Sequence, residues 1–162
     1  MLKTLFEEGE GIEAFYESLN PIYENYINRM KMNVNFSYYD SIIRKLRAQC
    51  RLLVIAEKEC IDSIVNLYIL KHIYLNTKKI EIQIVTKKQY KEVVHGEMVL
   101  TPTIILMDEF YEERSRWVRV PKVMKEIEES EDQSMIIDER RRYREGYYLI
   151  YTFDEILDLI LK

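Results

Sequence analysis

Apolar residues in the first fifty positions recur at helical spacing. Phe6, Ile12, Phe15 and Tyr16 form one short face, interrupted by Gly9 and Gly11. Asn20-Pro21 is a helix-start signal: a capping side chain, then proline in the first turn. The helix it opens carries Ile22, Tyr23, Tyr26, Ile27 and Met30. Ser37 with Asp40 reads as a loosened capping box before a stripe of Tyr38, Ile42, Ile43 and Leu46.

The pattern changes near Cys50. Leu52-Leu53-Val54-Ile55-Ala56 is a continuous apolar run, as expected of a strand buried on both faces. After the charged turn Glu57-Lys58-Glu59, a helix is expected from Cys60 to about Asn76, with Ile64, Leu67, Tyr68, Lys71 and Leu75 near one face. Ile80, Ile82 and Ile84 alternate with Glu81 and Gln83, which predicts a strand. Residues 89–94 suit a short helix. Thr103–Met107 reads as a second buried strand, and 114–120 as its hairpin partner with Trp117 as the large residue. Pro121 suits the first turn of a helix carrying Val123, Met124 and Ile127. Residues 135–144 look helical and Gly146 stops them. Tyr147–Tyr151 suits an edge strand or an extended link, and Thr152 with Glu155 a capping box for a last helix.

From residue 51 the order is therefore β-α-β-α-β-β-α. A helical crossover lets the first two strands run parallel; a short turn makes the last two antiparallel. The expectation is an α/β fold with one mixed sheet of about four strands and helices on both faces.

Composition narrows the function. The chain has 162 residues, a net charge of -4, four glycines and three prolines. That suits one soluble globular domain with few irregular loops. The acidic balance argues against nucleic acid. Arg140, Arg141, Arg142 and Arg144 lie beside Asp138, Glu139 and Glu145 and read as a solvated helix face. No run reaches the roughly 20 apolar residues of a membrane span. Residues 1–8 carry acids where a signal peptide would be apolar, so a cytoplasmic location with reduced thiols is expected. His72 and His95 lack partners at ligand spacing, so no metal is called for. No phosphate-cradling glycine loop or Ser/His/Asp arrangement is present. Cys50 reads as a small buried residue at a strand start, and most of the thirteen tyrosines as the rim of the core.

The chemistry centres on Cys60. A cysteine at the first strand-to-helix junction, with proline just before the third strand, resembles thioredoxin. The phrase Ala56-Glu57-Lys58-Glu59-Cys60-Ile61-Asp62-Ser63 is similar to the Ala-Glu-Asp-Trp-Cys-Pro-Asp-Cys motif of bacterial thioredoxin-like proteins with a helical N-terminal extension. Thr101-Pro102-Thr103 matches their cis-proline loop, with Gly96 ahead of it, and Trp117 with Pro121 their hairpin and final-helix entry. The resemblance implies a helical extension over 1–49, a thioredoxin core over 50–130 and a C-terminal helical segment over 131–162. It implies a catalytic pair at Cys60 and Ser63, substrate contacts at Thr101, Pro102, Ile61 and Asp62, and no cofactor.

Ser63 stands where the family has its second cysteine. A thiolate at position 60, favoured by the helix N-terminus, attacks a disulfide and forms a mixed disulfide. Ser63 can donate a hydrogen bond to that thiolate but cannot resolve the adduct. Cys50 is no substitute. The strand between it and Cys60 spans roughly 17–20 Å, whereas a disulfide needs Cα atoms within about 7 Å. Glu57, Glu59 and Asp62 make the surroundings acidic, which opposes the thiolate. Ile61 replaces glycine or proline, and the first strand lacks the buried acid of many relatives. Two functions follow. One is a monothiol protein that forms mixed disulfides with glutathione or protein thiols. The other is a non-catalytic module that binds a protein through the surface around Cys60 and Pro102, or through its N-terminal helices.

Overall fold

The computed structural model describes residues 1–161. Strands β1 (Cys50–Ile55), β2 (Ile80–Val85), β3 (Thr103–Met107) and β4 (Glu113–Val118) form one sheet in the order β2-β1-β3-β4. β1 and β2 are parallel; β1–β3 and β3–β4 are antiparallel. This is the mixed sheet that the crossover argument requires. Along β1, side chains alternate between two cores. Leu52 and Val54 join one with Ile82, Ile84 and Ile104; Leu53 and Ile55 join the other with Val85, Ile105 and Met107.

The helices divide between these faces. α1 (Leu2–Glu8) and α6 (Lys87–Val93) cover the smaller core with Leu5, Phe6 and Tyr90. α2 (Ile12–Glu17), α3 (Glu24–Asn33) and α4 (Ser37–Arg44) contribute Ile12, Phe15, Met30, Tyr39 and Ile43 to the larger one. α5 (Ile61–Asn76) runs through that larger core, with Ile64, Val65, Leu67, Ile69, Leu70 and Ile73 all buried. Its apolar residues surround the axis, so it packs on several sides at once. Leu75, expected on the buried face, is 60% exposed.

The extension is joined to the sheet by hydrogen bonds. Glu10 N–H donates to the Ile84 carbonyl at 2.9 Å, and Ile84 N–H to the Glu10 carbonyl at 2.8 Å. Gly9 permits this approach, because a Cβ there would lie 2.8 Å from the Cβ of Gln83.

The structure also corrects three expectations about caps and boundaries. Ser37 and Asp40 form no capping box: the Ser37 N–H is taken by Asn35 Oδ1, and Asp40 binds His72 Nε2 at 2.7 Å. Tyr147–Tyr151 is neither strand nor extended link. After α7 (Lys122–Glu128) and α8 (Gln133–Arg144), α9 runs from Leu149 to Leu161. Leu149, Phe153, Ile156, Leu157 and Ile160 are its buried stripe. Thr152 therefore lies inside the helix, and its hydroxyl donates to Asn66 Oδ1. Glu155 instead accepts the Lys122 N–H, at the start of α7. Gly146, at φ +96, supplies the left-handed residue between α8 and α9, close against Val34 and Met30.

Candidate functional site

β1 ends beneath the turn Ala56–Glu59, and Cys60 is the N-cap residue of α5. Its N–H donates to the Glu57 carbonyl and its carbonyl accepts from Ile64 N–H, which hold it at the helix mouth. Cys60 therefore stands beside the first-turn amides of α5. Cys60 is half-buried and free.

Thr101 comes from the loop entering β3, and the Thr101–Pro102 peptide bond is cis. The Thr101 hydroxyl donates to Cys60 Sγ at 3.4 Å, and the thiol can donate to the Thr101 carbonyl at 3.6 Å. Hydroxyl, thiol and carbonyl thus form one local cluster that ties the helix mouth to the loop entering β3. The Pro102 carbonyl is occupied by the Arg119 N–H at 2.7 Å.

The other expected site residues turn elsewhere. Ser63 is fully buried, and its Oγ accepts the Glu57 N–H at 3.3 Å. Among the described residues no hydrogen bond joins it to Cys60. Its hydroxyl closes the turn below the cysteine instead of facing the sulfur. Ile61 packs half-buried against the larger core. Asp62 forms an ion pair with Arg119 at 3.6 Å. Glu57 accepts the Lys87 N–H at 2.8 Å. Two of the three neighbouring carboxylates are thus committed to partners, and the exposed Glu59 is the one left facing solvent.

A polar layer beneath the helix mouth was not visible in the sequence. Asn66, one turn after Asp62, is fully buried. Its amide nitrogen lies 2.8 Å from the Asp62 carbonyl, 3.0 Å from the Arg119 carbonyl and 2.6 Å from Tyr143 Oη. Burial, and then the Asp62 carboxylate, push the Tyr143 phenol well above its ordinary range. Arg119 has φ +66 and an additional ion pair to Glu128, whose other neighbour is Arg140. Asp62, Arg119, Glu128 and Arg140 thus form a chain of alternating charge leading away from the cysteine.

Cys50 lies at the opposite end of β1, buried, where desolvation pushes its thiol up. Both cysteines are free. Trp117 is buried in the larger core as a packing residue. Among the described residues no cluster of His, Cys, Asp and Glu is arranged to hold a metal, and no helix is long and apolar enough to cross a membrane.

A family model described as thioredoxin matches residues 9–135. Two solved structures share the architecture. One is a protein of unknown function from Pseudomonas aeruginosa, 22% identical, with a TM-score of 0.79 over 97% of this chain and 95% of that one. The other is an HIV epitope scaffold, 22% identical, with a TM-score of 0.78 over 98% and 96% of the two chains. At that identity they show a common fold. No curated protein matches the chain.

Proposed function

Since this chain belongs to the thioredoxin family, we propose that it is a monothiol thiol–disulfide protein acting through Cys60. The observation that carries this reading is the half-buried Cys60 at the mouth of a 16-residue helix, with the Thr101 hydroxyl donating to its sulfur. The thiolate attacks one sulfur of a small or protein disulfide. A Cys60–S–S–R bond forms, the original S–S bond breaks, and the departing thiolate takes up a proton. An external thiol then attacks the mixed disulfide and returns Cys60 to its reduced form. Ser63 cannot perform that second step, and Cys50 is buried at the other end of the strand.

The test is incubation with oxidised glutathione followed by intact-mass analysis. One adduct should appear, reverse with excess thiol and vanish in Cys60→Ser. Persistence of the same adduct in Cys60→Ser, or no adduct in the parent protein, would sink the proposal.

The second reading is a non-catalytic docking module at the same face. Met98 and Leu100, at 88% and 48% exposure just before Thr101, favour it. Retention of partner binding by Cys60→Ser in a pull-down separates this reading from the first.

A further inference from the structure

The arginines of α8 read from the sequence as a solvated face, and in the structure these exposed side chains also border a concavity. Ile137, Arg140, Arg141 and Arg144 follow the i, i+3, i+4, i+7 spacing of a single helical stripe. That stripe lines a cavity of about 350 Å³, opposite Tyr26 and Arg29 on α3, with Glu145 at its end. Four arginines and one glutamate therefore line one concavity, a local charge of +3 on a chain whose net charge is -4.

The internal partners of these arginines are weak. Arg29 reaches Glu145 at 3.5 Å, Arg140 reaches Glu128 at 3.8 Å and Arg141 reaches Asp138 at 3.7 Å, all with arginine side chains more than half exposed. Exposed pairs of this length contribute little. Among the described residues Arg144 has no ion pair. Complementing the negative end of the α8 dipole accounts for basic residues in its last turn. It does not account for Arg29, which belongs to another helix. Arg142 shows the contrast: it turns away from the cavity, pairs with Glu139 and lies over the Tyr147 ring.

We propose that this α3–α8 cavity binds a small phosphomonoester carrying an aromatic or apolar group. Guanidinium forks match phosphate oxygens in bidentate fashion. Tyr26 and Ile137 supply an apolar wall for the body of the ligand. A volume near the lower end of small-molecule sites suits a compact ester. A long nucleic-acid track would need a basic stripe extending over the surface.

Phenyl phosphate is the probe, titrated into the full chain by calorimetry with inorganic phosphate in parallel. Saturable binding is expected, tighter for phenyl phosphate, and weakened by salt. Arg144→Ala and Arg29→Ala should each weaken it about tenfold, the loss expected for one charged hydrogen-bonding partner. Both side chains are exposed, and circular dichroism checks that each variant folds. Glutathione adduct formation at Cys60 should persist in both, so failure here is separable from failure of the thiol reading. Absence of saturable binding, or affinity unchanged in both variants, would overturn the proposal. So would an oligoglutamate peptide or an oligonucleotide that displaces phenyl phosphate at stoichiometric amounts, since either would make the cavity part of a macromolecular docking face.

Discussion

At Asn66, one carboxamide ties together four parts of the chain: the start of α5, the residue leading into α7, Tyr143 of α8 and Thr152 of α9. Every polar atom of this fully buried side chain is engaged, so truncation orphans several partners at once. Asn66→Ala should lower the unfolding free energy by about 2–4 kcal/mol, measured from the midpoint and slope of urea denaturation. A change within experimental error would refute the network's importance. Nothing in the spacing of Val65-Asn66-Leu67 marks Asn66 as buried. Three of its four partners lie 53, 77 and 86 residues away, and a local pattern carries no information at that range. Cys60, Thr101 and Pro102 were legible for the opposite reason. Each sits at an element boundary, where local chemistry restricts the residue type. Ser63 shows the limit of that legibility: its position was read correctly, but which atom its hydroxyl would meet depended on the turn above it.

Among the elements, the strands were the easiest to read. Ile80, Ile82 and Ile84 alternate, and the apolar runs of β1 and β3 coincide with the strands observed. β1 is both paired with two neighbours and buried on two faces, as its continuous apolar run suits a central strand. α9 was misread because Thr152 has the chemistry of a cap while its environment is a helix interior. The polar atom that suggested a boundary is satisfied by Asn66. Glu97 shows how elements are tied by charge. It accepts from the Tyr90 hydroxyl of α6 at 2.8 Å and pairs with Arg116 of β4. The Tyr90 hydrogen bond first, then Arg116, hold its carboxyl below the usual range. A depressed carboxylate contributes stability above its unfolded pKa, and loses it as pH falls through the folded value. Glu97→Gln should therefore melt below the parent protein at pH 7. The gap should narrow as pH falls below about 4.3, the ordinary glutamate value. Calorimetric melting across that range measures it. A gap that stays constant with pH would show that the charge is irrelevant.

For the molecule as a whole, the backbone bridge between Glu10 and Ile84 has a consequence beyond holding the extension in place. β2 ends the sheet on one side, and an uncovered outer strand is a template for another chain. The extension occupies donor and acceptor groups there before a stranger can. β4, at the opposite end, carries Glu113, Arg114 and Arg116, charges that discourage edge-to-edge pairing. Glu10→Pro removes the N–H that reaches Ile84 and should loosen the segment. Sedimentation velocity over a concentration series should then show reversible self-association absent from the parent chain. A strictly monomeric variant at all concentrations would contradict this. Self-association of the variant would make the helices ahead of the sheet a guard against misassembly, placed far along the chain from Cys60.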